Sequence, residues 1–281
     1  MILLGGPRIG ETHGLSEADA VRRSEEPATA ETLVRDLKAL GVAPGMTLLV
    51  HPSLSALGWV CGGALTVIEA LTRAVRPKGT IVMPAFSPDC TEPSYWTNPP
   101  VPEAWWQTIR DTMPPFDPCA TPTRWVGAIP ECFRTLPGVR RSAHPCASFA
   151  ARGPHARRIV GRHALDHCLG ERSPVARLYD LDAFVLLLGV GHRNNSSLHL
   201  AEYRARYVGK REVEQGAAVL RRGVRVWAAY KDIDLRPDDF VAIGKAFRPH
   251  EHPGRVGCAE ARLFRQREIV DFAVQWMEGN R

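Results

Sequence analysis

The chain has 281 residues, 44% of them hydrophobic, and a formal net charge of +6. That is enough apolar material for a sizeable core, in one large domain or two small ones. No run of about 18 apolar residues occurs, which excludes a membrane-spanning helix, and MILLGGPRIGE has too short an apolar stretch and no basic leader for a secretory signal. Cysteines 61, 90, 119, 132, 146, 168 and 258 are odd in number and lack CxxC spacing. They read as free thiols of a reducing compartment, so a cytoplasmic location is expected.

In chain order, residues 1–28 carry little periodicity and read as a mobile extension, with order beginning near Thr29 and a single domain over 29–281. Leu33, Val34, Leu37 and Leu40 mark one face of a helix that Gly41 closes. Thr47 to His51 reads as a buried strand. A loop rich in Ser and Gly follows (Ser53 to Gly63), then a helix on Leu65, Ile68, Leu71 and Val75, and a strand from Thr80 to Met83. Strand, glycine loop, helix, strand is a βαβ-like order and points to a three-layer α/β core. The loop is neither GxGxxG nor GxxxxGK[ST], so neither a Rossmann nor a P-loop site is supported.

The segment from Phe86 to Thr123 is proline-rich, carries Trp96, Trp105 and Trp106, and lacks clear periodicity. Such a segment is usually a functional loop or lid. Charge is distributed unevenly around it. Residues 84–119 hold Asp89, Glu92, Glu103, Asp111 and Asp117 against Arg110 alone, while residues 137–177 hold eight arginines against Asp166 and Glu171. The first stretch suits a cationic ligand and the second an anionic one, if both face a site. The basic arm lacks the interleaved aromatics of a nucleic-acid surface. A short helix from Ile129 to Arg134 leads into the Arg140 to Pro145 turn. His163 and His167, and His250-Glu251-His252, have spacings a metal could use, but no third ligand stands near in sequence. Gly216 to Asp234 reads as a β-hairpin with a basic turn at Arg221-Arg222-Gly223. An amphipathic helix spans about Ile269 to Met277.

The most informative stretch is Leu186 to Tyr207. A buried strand ends in Gly189-Val190-Gly191, and a helix follows that Asn195 or Ser196 can cap. His199 falls in its first turn, with Glu202 three residues on and on the same face. An imidazole beside a carboxylate at the end of a buried strand is a general base with its orienting partner, or else a simple polar pair.

Four blocks in order, LLVHPSLSALGWVCGGALTVIEAL (48–71), GTIVMPAF (79–86), PPFDP through RSAHPCAS (114–148) and LGERSP through LLLGVGHRNNSSLHLAE (169–202), with RVGCAEARLFRQREIVDFA (255–273), carry a resemblance over roughly residues 30 to 275. The chain resembles the aminoglycoside 3-N-acetyltransferase family, whose fold is not GCN5-like. The resemblance implies a three-layer mixed sheet flanked by helices, with a small antiparallel hairpin region, and acetyl transfer from acetyl-CoA to an amine without a metal. It makes His199 the expected base and Glu202 its partner. It places Ser53, Ser55, Gly58, Val60, Gly62 and Gly63, together with Arg141, Ser142, His144 and Ser148 of the RSAHP turn, around the coenzyme. Asp89, Glu92, Ser196, Ser197 and Asp232 become candidates for substrate contact.

The chain departs from the family at two places. Relatives commonly carry an Asp after the glycine turn and a Thr pair before the Leu-His; here Arg193 and Ser196-Ser197 stand there. Arg193 reverses a charge beside the site and bears on the substrate. The partner expected is a small-molecule amine, not nucleic acid or membrane, with the chain a monomer or homodimer. Acylation of a different amine, thioester hydrolysis and, outside enzymology, nucleic-acid binding are the other readings.

Overall fold

The structure, a computed structural model, describes residues 16–281. Its elements are α1 (Glu17–Arg23), α2 (Ala30–Ala39), β1 (Thr47–Pro52), α3 (Gly63–Val75), β2 (Thr80–Pro84), α4 (Trp106–Thr112), α5 (Ala128–Thr135), β3 (Arg140–Arg141) and β4 (Phe149–Arg152). The second half adds α6 (Ala156–Val160), α7 (Pro174–Asp180), β5 (Phe184–Leu188), α8 (Ser197–Arg204), β6 (Glu212–Arg221), β7 (Val224–Ile233), α9 (Phe240–Phe247), β8 (His252–Val256), β9 (Ala259–Arg265) and α10 (Gln266–Asn280).

Seven strands form one mixed sheet in the order β3-β4-β2-β1-β5-β9-β8. The three central strands are parallel, and the outer ones join them antiparallel. Alternation along the central strands divides the core between two faces. Leu48, Val50, Ile81, Met83, Leu186 and Leu188 pack with residues of α2, α3 and α5. Leu49, Val82, Val185 and Leu187 pack with residues of α6 through α10. This is the three-layer α/β fold expected. β1 lies between β2, reached through α3 on one face, and β5, reached after α6 and α7 on the other. Chains leaving the carboxyl ends of β1 and β5 therefore diverge, which opens a crevice where ligands of parallel sheets bind.

The hairpin also forms as expected. β6 and β7 make a separate two-stranded sheet, closed by Arg222-Gly223 with both residues at positive φ. The proline-rich segment packs along it: the Phe116 N–H donates to the Ala218 carbonyl, and Arg225 donates to the carbonyls of Arg110 and Met113.

Among the described residues, regular structure starts before Thr29. Ser16 and Asp19 form a reciprocal capping box that starts α1, and Ala28 bridges Val60 with backbone bonds to Trp59 and Cys61. Residues 1–15 of the expected extension lie outside the described residues. No helix among the described residues is long and apolar enough to cross a membrane.

Candidate active site

Helix α8 starts directly after the strand β5, on the turn Gly189 to Asn195. Asn195 supplies its cap: the side-chain Oδ1 accepts the Ser197 N–H at 3.1 Å, whereas Ser196 makes no side-chain cap bond. The Asn195 amide is held in turn by His192 Nδ1 at 3.4 Å. His192 Nε2 meets Glu251 Oε1 at 2.5 Å, and Arg262 stands 3.4 Å from the other Glu251 oxygen. The carboxylate of the His250-Glu251-His252 run is thus a buried anchor for the turn.

His199 lies in the first turn of α8, nearly buried, with its ring against the Phe240 edge at 4.9 Å. Its Nδ1 is 2.7 Å from Glu202 Oε2, the i, i+3 contact that helix geometry allows. The other Glu202 oxygen accepts the Arg236 N–H at 2.7 Å and Arg281 Nη1 at 2.9 Å, and Arg281 also pairs with Asp239 at 2.7 Å. Burial alone would raise the Glu202 carboxyl, but the His199 hydrogen bond, the charges of His199 and Arg281 and the Arg236 N–H together hold it below its usual range. With Nδ1 engaged, Nε2 is the ring nitrogen left without a partner among the described residues, and His199 lines a cavity at the sheet's carboxyl edge.

That cavity is walled by the ends of the three parallel strands. His51 and Pro52 close β1, Pro84 closes β2, and Val190, Arg193, Asn194 and Ser196 follow β5. His51 is buried and its imidazole is pushed down to about 3, by desolvation first and then by His192 and His199. It is therefore neutral, and its Nε2 accepts the Ser196 N–H at 3.4 Å. Pro52, Trp125, Val190 and Asn194 also wall a groove that runs on past Ser53, Ser55, Gly58, Val60 and Gly63 to the N-termini of α3 and α5. Gly62 is the left-handed N-cap of α3 beside this groove. Glu17 and Ala20 of α1 form part of its wall, so the stretch read as an extension contributes to the site. On the other side, Pro88, Arg124 and Trp125 are shared with an outer cavity that includes Asp89 and Trp96.

Several expected site residues lie elsewhere. In the RSAHP turn His144 is fully buried; its Nδ1 accepts the N–H groups of Cys146 and Ala147, and Nε2 meets the Leu165 carbonyl at 3.1 Å. Burial pushes that imidazole down to about 4. Ser142 bonds Phe149 N–H and His163, Ser148 donates to the Ala85 carbonyl, and Arg141 donates to the carbonyls of Ala85, Pro118 and Thr121. Arg141 ties β3 to the proline-rich segment, Ser142, His144 and Ser148 brace the turn between β3 and β4 and its neighbours, and none of the four lines the groove. Ser142, His144 and Ser148 have at most 1% exposure and line neither the His199 cavity, the groove nor the outer cavity. Nor does any of the eight arginines of the basic arm line the groove. Asp232 is fully buried, with its carboxylate on the Tyr203 hydroxyl and the N–H groups of Cys168 and Ile233. Ser197 is fully buried too, and its hydroxyl has no partner.

Asp89 lines the outer cavity and Glu92 does not; both are paired, with Arg124 and Arg110, each at 2.6 Å. His163 is held by Ser142 and the Cys168 carbonyl, and the described residues contain no cluster of three metal-ligating side chains. Arg193 and Ser196 do face the cavity with His199. Among the lining residues that the sequence did not single out are His51, Arg124 and Trp125. Trp125 borders all three spaces, and its backbone is left-handed, φ +64°. No periodicity marks such a residue; its only sequence signal is its place just past the proline-rich stretch.

Comparison with known proteins agrees with this geometry. The family model for aminoglycoside 3-N-acetyltransferase matches residues 49–278. The SPbeta prophage-derived aminoglycoside N(3')-acetyltransferase-like protein YokD of Bacillus subtilis (strain 168) is 46% identical over 257 residues, covering 90% of this chain and 94% of its own. Its crystal structure superposes with a TM-score of 0.91 at 44% identity, over 94% of this chain and 98% of that one. AAC-IIIb, solved as a binary complex with CoASH, gives a TM-score of 0.81 at 32% identity, over 90% and 97% of the two chains. AAC-VIa, solved bound to sisomicin, gives 0.82 at 35% identity, over 90% and 98%. Fold and sequence comparisons converge, and the chain belongs to the aminoglycoside 3-N-acetyltransferase family of acyltransferases.

Proposed function

We propose that this enzyme transfers the acetyl group of acetyl-CoA to the 3-amino group of an aminoglycoside, with His199 as general base. The observation that carries the reading is His199 itself. Its Nδ1 is fixed on a buried carboxylate, and it lines a cavity continuous with the groove along the α3 N-terminus. A thioester lying in that groove brings its carbonyl to the shared wall of Pro52, Val190 and Asn194, beside His199. The CoASH complex of AAC-IIIb and the sisomicin complex of AAC-VIa support these two ligand classes.

In the step proposed, the neutral amine attacks the thioester carbonyl and the C–N bond forms while Nε2 of His199 accepts the amine proton. Glu202 keeps the imidazole in the tautomer that leaves Nε2 open and stabilises the imidazolium that results. Collapse of the tetrahedral intermediate breaks the C–S bond, and the proton passes to the departing CoA thiolate. The Ser196 hydroxyl is the donor proposed for the developing oxyanion, since Ser197 is sealed in the core. The seven free cysteines support a reducing, cytoplasmic setting.

The test is release of free CoA thiol from acetyl-CoA, with and without a panel of aminoglycosides. Amine-dependent release is expected, and His199→Ala should lower kcat by about 10²–10⁴-fold while acetyl-CoA binding persists. Activity within threefold of the parent would remove His199 from the mechanism. Thiol release without any amine would point to hydrolysis instead.

A further inference from the structure

The cavity around His199 has a charge that a polycationic acceptor does not match. Arg193 lines it as an unpaired cation, Arg124 beside it is paired with Asp89, and no carboxylate among the described residues lines it. The two acids that the sequence offers for ammonium groups are neutralised, Asp89 by Arg124 and Glu92 by Arg110. Arg193 is exposed at the mouth and has no ion-pair partner among the described residues. It is not on a loose loop. The turn His192–Asn194 is closed by backbone bonds from Asn194 to Gly191 and from Asn195 to His192, and His192 is locked on Glu251. The backbone that carries Arg193 is thus fixed, and its uncompensated guanidinium, which lines the same cavity as His199, is a docking point for an oxyanion, because its fork matches phosphate geometry and each bond is charge-assisted.

We infer that the acceptor amine carries a phosphate-type anionic group, which pairs with Arg193 while the amine meets His199. This rests on the acetyl-transfer reading of the same cavity and narrows its substrate. An aminoglycoside presents several ammonium groups, and a lone arginine repels them. One phosphate on the acceptor turns that repulsion into attraction and steers the amine inward. Two sources share this chemistry, an O-phosphorylated aminoglycoside and a phosphorylated amino sugar.

The experiment measures amine-dependent CoA release for two matched pairs at low ionic strength: sisomicin against its 2″-O-phosphate, and glucosamine against glucosamine 6-phosphate. The phosphorylated member of at least one pair is expected to have a kcat/KM about tenfold or more above its parent, and the pair that shows this identifies the source. Arg193→Ala should bring that ratio to within about twofold, Arg193→Lys should keep part of it, and the acetyl-CoA KM should not change. The inference is overturned if the unmodified amines are used as well as or better than their phosphates, if Arg193→Ala leaves the ratio intact, or if it raises only the acetyl-CoA KM. Sisomicin turnover without phosphate preference would retain acetyl transfer and remove the anion. Four inactive amines would instead remove the acetyl-transfer reading, and the inference with it.

Discussion

Glu202 performs two tasks with one carboxylate. One oxygen orients His199, and the other accepts from Arg236 N–H and Arg281, tying α8 to the segment before α9 and to the end of α10. Glu202→Gln should therefore lower kcat by about 10²-fold or more, because the imidazole loses its tautomer control, and cost about 1–3 kcal/mol of stability as Arg281 loses a charged partner. Separate measurement of kcat and of the urea midpoint resolves the two; an unchanged kcat would contradict the orienting role. Trp125 acts by shape. Its left-handed backbone sets the ring where the groove, the His199 cavity and the outer cavity meet, and the Arg124 guanidinium lies 5.0 Å over it. Trp125→Ala should raise the KM of both substrates by roughly tenfold, about 1.4 kcal/mol each, with kcat nearly intact. A KM effect confined to one substrate would place the ring at one end only. The His199–Glu202 pair was legible from sequence because an i, i+3 contact is local; Trp125 was not, since its role comes from three walls that meet only in the fold.

At the scale of elements, the junction between β5 and α8 decides where His199 stands. A buried series from Glu251 through His192 and Asn195 to the Ser197 N–H couples β8's edge to the first turn of α8. Asn195→Ala removes both the cap and the His192 contact, so a loss of about 1 kcal/mol is expected, together with a fall in kcat as the first turn loosens. Full kcat at reduced stability would show that the series supports the fold and not the base. The glycine loop is a second such element. Gly58 has φ +83°, and a Cβ there would lie 2.5 Å from Ser24 Oγ and 2.7 Å from Cys258 Sγ. Gly58→Ala should cost about 1–3 kcal/mol for the backbone strain and more for the contacts, and should disturb the groove wall. Gly138, with φ +78° and open space around it, is the control: its Ala variant should pay only the backbone part. Equal midpoints in urea for the two variants would refute the packing argument.

Across the whole molecule, several imidazoles are buried neutral. His51 is pushed down to about 3 and His144 to about 4, both chiefly by desolvation, and His163 also lies well below its usual value. The unfolded chain takes up protons at these histidines below about pH 6.5, while the folded chain does not until each lowered value is reached. Stability is thus full above pH 6.5 and declines as the pH falls toward 4, by up to about 1.4 kcal/mol per pH unit for each such histidine. Urea midpoints measured from pH 7 to pH 5 should fall steadily, and a flat profile would mean that these rings are solvated. Sequence periodicity alone determined the helices α2, α3 and α10, the strands β1, β2 and β5 and the β6–β7 hairpin, because apolar spacing and turn residues act over a few positions. It also determined the His199–Glu202 pair and, through ordered motifs, the family. Tertiary structure decided which polar residues line the cavities and which are sealed in the core. His144, Ser148 and Asp232 look as functional in the sequence as Ser53 or Arg193, yet they are sealed inside, while His51 and Trp125 are brought to the crevice. The physical reason is that exposure depends on contacts between distant segments, β1 with β5 and the proline-rich stretch with the hairpin, and no local pattern encodes which face of a turn those contacts will cover.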